Sequence, residues 1–546
     1  MKIAGLWNGH DCSFCIFENN KPTIHAEYER YLREKNPKGD AFLFMNNVLA
    51  DDKIEDIKYF ATCYPTLLMT KYSESLKKIE AIINKNDGKF FVFPHHKSHA
   101  AHAFYSSKFK KAITVTFDGG GTESDNRDES ACTVWECEEN KINLIRRFNP
   151  LEINIGGVWT RIIRYVFKLQ NGWPRGGQEG SVMAMASYGD PDKYFEDFYK
   201  MLTVDKIPAG FKPPDQPPGA YIEGKDPVHP YLDPWLKISE RSEQDMFDLA
   251  ASFQKATEAV IREILALVFN NYPDCEYLCL SGGVALNTVA MGKIKSWFPN
   301  IKDIYIPPVP ADAGLTIGAC QLVAHEVLNL PRAYLESNFC PYLGQDWGET
   351  ELNEALALNK DKIKVTKSSD DDILKILDEQ KIVSVFNGKS ESGRRALGNR
   401  SILADPRDIK IKKIINDRVK HRQWYRPFAP SILSECVSDW FDHEIESSYM
   451  QFVLPVKEDK KSLIPAAVHN DGTARLQTVS EVDNPWYYNF IKKWSQISKV
   501  PILLNTSFND REPIVESPEH ALSCFLKTSI DVLYFPEFKL KVERKI

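Results

Sequence analysis

His95, His96, His99 and His102 fall within ten residues, "HHKSHAAHAF", of a chain that has 12 histidines among 546 residues. On a helix, His95, His99 and His102 stand at i, i+4 and i+7 on one face, and His96 points away from them. The i, i+4 pair can grip one metal ion, although an isolated H-x-x-x-H is more often a polar helix face. Two carboxylates change that balance. Asp118 closes the apolar strand "AITVTFDGGGT", and Asp312 opens a helix in "PPVPADAGLTIGAC". With them the histidines make a two-His, two-Asp set, whose donors suit a borderline divalent ion such as Fe(II), Mn(II) or Zn(II) better than Ca(II). Beside glycine turns, such an ion would neutralise phosphate oxygens and polarise the atom under attack.

A second group of side chains is made for anions. "NGKSESGRRALGNRSILADPR" supplies Arg394, Arg395 and Arg400, "VKHRQWYRPFAP" supplies Lys420 and Arg426, and "DGTARLQTV" adds Arg475. "PILLNTSFNDREPIV" ends a strand with Asn505, Thr506 and Ser507. Guanidinium forks beside short hydroxyl and amide donors make a phosphate pocket. A solvated basic face, or an RNA patch stacking on Trp424 and Tyr425, is the competing reading.

The elements that must position these residues are α/β in pattern. "KIAGLWNGHDCSFCIF" reads as a β-hairpin whose tip carries His10, either as an acid/base group or as a turn residue ordering "NGHD". "YLCLSGGVALNTVAMGKI" runs from a strand through Gly282 and Gly283 into a helix. Strands ending in glycine let backbone N–H groups approach phosphate without Cβ obstruction. Residues 206–237 hold eight prolines, too many for a regular element, and read as a surface excursion or as a wall for an acceptor. The pattern restarts at "SSDDDILKILDEQKIVSVFNG", a capped helix before an apolar strand. The expected division is 1–345, a linker at 346–365, and a second domain at 366–546. No short-period repeat is visible.

Length alone requires more than one domain, since single cores stop growing near roughly 250 to 300 residues. The net charge of −6 argues against a general nucleic-acid surface, yet Lys389–Arg426 holds twelve Lys or Arg against four acidic residues. A small anion fits that local excess. The start lacks a signal-peptide pattern and no run is apolar enough to span a bilayer, so a cytoplasmic protein with no membrane partner is expected. Eleven scattered cysteines suit reduced thiols, and Cys12-x-x-Cys15 in a strand-like run is a poor chelate.

Ten strings in one order, "GHDCS", "HHKSHAAHAF", "TFDGGGT", "EGSVMAMASYG", "SGGVALN", "PADAG", "RALGNRSILADPR", "VKHRQWYRPFAP", "DGTARLQTV" and "NTSFN", resemble the NodU/CmcH family of O-carbamoyltransferases over nearly the whole chain. The resemblance implies an N-terminal actin-like ATPase fold of the Kae type, like the tRNA threonylcarbamoyladenosine synthase, and a C-terminal α+β YrdC-like domain. It implies His95, His99, Asp118 and Asp312 as ligands of Fe(II). Gly119, Gly120, Gly121, Gly180, Gly282, Gly283 and Asn287 would hold the nucleotide. Arg395, Lys420, Arg426, Arg475, Asn505 and Ser507 would bind carbamoyl phosphate, with Arg395 and Lys420 catalytic there and His10 catalytic at the metal. Implied partners are carbamoyl phosphate, ATP with Mg, and a hydroxyl on a small molecule or glycan, without nucleic acid; a homodimer stays open.

The chain departs from the family pattern in places. Ser181 stands where Lys is common, Ser392 and Arg394 replace residues of F-G-P-R-A-L-G, and E-E-R-F survives only as "EYERYLREKN". Two other readings compete: a tRNA threonylcarbamoyl transferase, disfavoured by net charge and the arginine set, and an actin-like scaffold, which leaves the His/Asp set without purpose.

Overall fold

The computed structural model describes residues 1–169, 178–203, 232–443 and 445–545. They form two compact units, one of Met1–Glu29 with Asn36–Phe339 and one of Arg30–Lys35 with Cys340–Ile546.

The first unit holds two five-stranded sheets. One is built from β1 (Lys2–Trp7), β2 (Ser13–Glu18), β3 (Lys21–Glu27), β4 (Ile57–Cys63) and β5 (Lys89–Phe93), in the order β3-β2-β1-β4-β5. The other uses β6 (Lys111–Thr122), β7 (Glu129–Glu138), β8 (Lys141–Phe148), β9 (Tyr277–Ser281) and β10 (Asp303–Tyr305), in the order β8-β7-β6-β9-β10. In each, three antiparallel strands are followed by two parallel ones, so the second sheet repeats the topology of the first. The apolar runs of β1 and β6 are buried almost throughout, as expected for strands covered on both faces.

Corresponding helices follow the last strand of each sheet. Helix α1 (His95–Ser106) follows β5, and after β10 comes α2 (Leu315–Gln321), entered through the single turn Asp312–Gly314. The two helices pack closely because residue 318 is glycine. A Cβ there would lie 1.9 Å from the Ser98 carbonyl oxygen, so any larger residue would push them apart.

In the second unit a nine-stranded sheet runs β11-β19-β18-β12-β13-β17-β14-β16-β15 among the described residues. In chain order the strands are β11 (Ile363–Lys367), β12 (Val383–Phe386), β13 (Arg400–Ala404), β14 (Ala429–Leu433), β15 (Phe452–Pro455), β16 (Thr473–Val479), β17 (Ile502–Ser507), β18 (Val532–Phe535) and β19 (Leu540–Arg544). Both faces are covered. Phe386, Ile402, Ala404 and Leu504 pack into one core, while their neighbours Val385, Leu403 and Leu503 pack into another, as period-two alternation requires.

The division differs from the sequence expectation, since the second unit begins at Cys340 and takes in Arg30–Lys35. Residues 346–365 are not a linker: they contain the helix Glu349–Leu358 and the start of β11, which pairs with β19. Leu352 and Ala355 bury that helix in the core that holds Phe386 and Leu504, a stripe the surrounding charges hid. Of the proline-rich segment, 206–231 lies outside the described residues, and Pro234 sits in the first turn of the helix Asp233–Ser239. The capped helix Asp370–Asp378 is found, with Ser369 and Asp372 forming its capping box.

Candidate active sites

His95 and His99 come from the first two turns of α1, Asp118 from the end of the apolar run of β6, and Asp312 from the turn leading into α2. One ligand atom from each lies within 4.8 Å of all the others. His99 Nε2 is 3.2 Å from Asp118 Oδ2 and 3.4 Å from Asp312 Oδ1, and His95 Nε2 is 3.6 Å from Asp312 Oδ1. Both imidazole nitrogens are buried, yet neither makes an aligned hydrogen bond. Buried polar atoms without partners are rare, and two converging on carboxylates fit a bound cation.

Backbone groups fix the carboxylate. Asp118 accepts from Gly119 N–H at 2.6 Å and from Gly283 N–H at 3.2 Å, joining the ends of the parallel neighbours β6 and β9. Gly282, with φ +89°, donates to the Pro310 carbonyl at 2.8 Å, two residues before Asp312. Thus three of the glycines expected to hold nucleotide surround the His/Asp set. Gly120 is exposed beside them, and Gly180 lies in the first turn of the helix Glu179–Ala186. Asn287 caps the helix Thr288–Trp297 through Ala290 N and pairs with the Gln254 amide.

Gly121 instead makes room for a ligand, since a Cβ there would stand 2.3 Å from His95 Cδ2. Gly121→Ala is therefore expected to displace the His95 ring and lower metal affinity by about 10- to 100-fold, the range for loss of a ligand's support. Equilibrium dialysis against the divalent ion measures this, and unchanged affinity would contradict it.

His10 lies at the β1–β2 turn, with Nε2 3.3 Å from Asp312 Oδ2 and Nδ1 3.3 Å from Asp11 Oδ2. Its carbonyl accepts from Trp7 Nε1, which braces the turn. Desolvation of the ring opposes its charge, and Asp312, then Asp11, outweighs that and raises its pKa; 44% of the side chain is exposed, so solvent weakens the effect. His96 leaves the set, as the helical spacing requires. Its Nε2 donates to the Ser130 carbonyl and its Nδ1 accepts from Thr116, while burial, then His95 and His99, depresses its pKa to about 3. His102 meets Ser106 through Nδ1 and is held neutral by burial.

Burial opposes charge on His99, but Asp118 and Asp312 outweigh it and raise its pKa from 6.5 to about 9. The carboxylates shift the other way, Asp312 well below its usual range. Without metal, His99 thus contributes stability that is complete below pH 6.5 and lost as pH rises through about 9. Ligation needs neutral imidazole, so metal uptake at pH 7 is expected to release about one proton from His99, and affinity to climb with pH until about 9. Calorimetric titration in buffers of different ionisation enthalpy reads the proton number; a value of zero would contradict it.

The second group lies in the second unit. Arg395 sits in the loop between β12 and β13, Arg426 before β14, Arg475 on β16, and Asn505 and Ser507 on β17. Burial, then Arg395 and Arg426, holds the Arg475 guanidinium well below its usual range, and burial, then Arg426 and Arg475, does the same to Arg422. Arg475 and Arg422 thus each feel the charge of two neighbouring guanidinium groups, and Arg475 Nε is buried without a hydrogen-bond partner. Neighbouring half-buried cations are stabilised by an anion among them.

Lys420 and Asn505 are tied into the neighbouring strands and loops. Lys420 Nζ is buried and meets Ser507 O at 2.8 Å, Asn509 O at 2.7 Å and Asn509 Oδ1, so its three N–H groups brace the end of β17. Asn505 Nδ2 links Ala396 O, Ser431 Oγ and Gln477 Oε1. The Arg395 loop has supports of its own, among them Arg400, which the sequence grouped with the phosphate-binding arginines but whose buried guanidinium is taken up by backbone carbonyls. Glu391 Oε1 accepts from the backbone N–H of Leu397, Asn399 and Arg400, and the buried Arg400 donates to Asn387 O and Gly388 O. Arg30, from "EYERYLREKN", donates to Gly393 O at 2.6 Å and lies 3.6 Å from Glu516.

The family descriptions "Carbamoyltransferase N-terminus" and "Carbamoyltransferase C-terminus" match residues 4–321 and 374–541, so the chain belongs to the carbamoyltransferase family. It is 35% identical to nodulation protein NolO of Bradyrhizobium diazoefficiens over 462 residues, 82% of this chain and 78% of that protein. It is 34% identical to nodulation protein NolNO of Sinorhizobium fredii over 462 residues, 82% of this chain but only 63% of that protein's length. A solved structure of full-length HypF, phosphate- and nucleotide-bound, aligns at a TM-score of 0.35 and 14% identity over 60% of this chain and 55% of that one, too distant to bear on the fold. Among the described residues no helix is long and apolar enough to cross a membrane.

Proposed function

We propose that this carbamoyltransferase is an ATP-dependent O-carbamoyltransferase acting on a hydroxyl of a small molecule or glycan in the cytoplasm, without nucleic acid. The observation that carries the reading is the pairing of an anion-binding arginine cluster in one unit with a His/Asp set beside glycine turns in the other. In the first unit the duplicated strand order supports an actin-like fold of the Kae type, which binds nucleotide at such turns. The second unit is read as YrdC-like.

At the arginine cluster, carbamoyl phosphate is cleaved by water to carbamate and phosphate. The carbamate oxygen attacks the α-phosphorus of ATP, giving carbamoyl-adenylate as pyrophosphate leaves. Arg395, Arg426 and Arg475 neutralise the phosphate charge, while Lys420 and Asn505 hold the strand ends that aim them. In the second half-reaction the acceptor hydroxyl attacks the carbamoyl carbon and AMP leaves. His10, half-exposed and held by Asp312 and Asp11, would take the hydroxyl proton in its neutral form, which is favoured once a cation draws on the Asp312 charge that raises its pKa. His95, His99, Asp118 and Asp312 would hold a divalent ion, expected to be Fe(II), which when bound would supply Lewis-acid charge at this site.

Incubation of the protein with ATP, Mg and carbamoyl phosphate is expected to release pyrophosphate, followed by a carbamoyl mass increment on a hydroxyl compound in an acceptor screen. No pyrophosphate from metal-loaded protein would refute the adenylate route. RNA-dependent turnover that falls steeply with salt would favour the tRNA-modifying alternative.

A further inference from the structure

Carbamoyl phosphate presents two faces to a binding site. Its phosphate only accepts hydrogen bonds, and arginines only donate them. Its amine carries two N–H donors, which guanidinium groups cannot satisfy. A site that selects carbamoyl phosphate over other acyl phosphates therefore needs an acceptor near the arginines, and burying the amine without one is costly.

His469 offers that acceptor. It opens a tight turn, His469–Gly472, closed by Gly472 N–H to His469 O at 3.0 Å and by His469 N–H to Thr473 O at 2.7 Å. Thr473 Oγ1 lies 2.7 Å from Asp471 Oδ1, and because an ionised carboxylate cannot donate, the one hydroxyl proton of Thr473 is committed there. Thr473 Oγ1 is also 3.1 Å from His469 Nδ1, so in that contact the ring must be the donor. The network thus fixes the Nδ1–H tautomer and leaves Nε2 as a bare lone pair. Nε2 is buried and has no hydrogen-bond partner.

The ring also lies on the correct side of the strand. Thr473 and Arg475 are two residues apart on β16, so their side chains leave the same face, and the imidazole bonded to Thr473 shares it with the Arg475 guanidinium. Arg475 Nε is a buried donor without a partner, and His469 Nε2 is a buried acceptor without one. Burial, Arg475 and Lys412 keep the ring neutral despite Asp471, with a pKa near 4.

Resting on the carbamoyl-phosphate reading above, we propose that His469 is a specificity-determining residue of the arginine cluster, its Nε2 accepting an N–H of the carbamoyl amine while Arg475 donates to the ligand's oxygens. Acetyl phosphate, with methyl in place of the amine, leaves that nitrogen unsatisfied.

Two stable phosphonates test this on the full-length chain: phosphonoacetamide, and 2-oxopropylphosphonate, the same skeleton with methyl for amine. Calorimetry is expected to show wild-type protein preferring the amide by about tenfold, the worth of one buried hydrogen bond. His469→Ala should erase the preference by weakening the amide alone, and His469→Gln, whose Oε1 accepts, should keep part of it. A preference that survives in His469→Ala, or parallel weakening of both ligands in both variants, overturns the proposal. Equal binding of both phosphonates by wild type sinks the proposal alone. Binding of neither sinks the carbamoyl-phosphate reading and this proposal with it.

Discussion

Asp312→Asn is expected to lower divalent-metal affinity more than about 100-fold, beyond the effect of losing a supporting residue, and to abolish carbamoyl transfer. Asp312 is the group on which the set converges, with carboxylate oxygens 3.3 Å from His10, 3.4 Å from His99 and 3.6 Å from His95. Asparagine keeps the shape but removes the charge, and its amide would turn a donor toward imidazoles that need an acceptor or a cation. His99→Ala should match the loss, since it removes the nitrogen placed between both carboxylates. In metal-free Asp312→Asn, the His99 pKa should fall below its wild-type value of about 9, because one of the two carboxylates raising it is gone. Elemental analysis after dialysis, with imidazole titration by NMR, reads both effects. Pyrophosphate formation should persist, since it is assigned to the arginine cluster. Metal at wild-type stoichiometry in both variants would refute the ligand assignment.

The convergence follows from the repeated topology, so the sequence offered the four donors as a set by their chemistry and by resemblance but not the geometry that brings them together. His10 and Asp118 sit at or just before the first turn of each sheet, between β1 and β2 and between β6 and β7. The His95–His99 pair and Asp312 start the helices that follow β5 and β10. Helical spacing and strand-ending glycines marked each piece, because period and turn chemistry are local properties. The correspondence between halves lives in strand order and leaves no sequence repeat. Likewise Gly121 reads as part of a phosphate-binding turn, although its missing Cβ makes room for His95, a contact between residues 26 apart. Arg30 and Glu391 escaped notice for a related reason. They bind backbone atoms of the 391–400 loop, and which backbone atoms a charged residue will meet cannot be read from its neighbours in the chain.

Arg475→Met is expected to reduce pyrophosphate formation by on the order of a hundredfold to a thousandfold, the effect of removing one preorganised donor to developing charge. It is expected to stabilise the ligand-free protein at the same time. The Arg475 guanidinium is driven down by burial and by Arg395 and Arg426, so its charge opposes folding when no anion is bound. Its Nε adds a buried donor without a partner. Exchanging a half-buried, poorly compensated cation for an apolar chain of similar length should make the ligand-free protein more stable, by less than the exchange of a fully buried one. Activity and stability would then move in opposite directions, as expected where strain is stored in a binding site. Bound metal should be unchanged, because its four donors lie in the other unit. Inorganic phosphate sharpens the distinction. It should raise the melting temperature of wild type, where it relieves repulsion among the arginines, and do so much less in the variant. A variant that melts below wild type without phosphate, yet is protected equally by it, would show that Arg475 serves the fold and that the anion binds elsewhere.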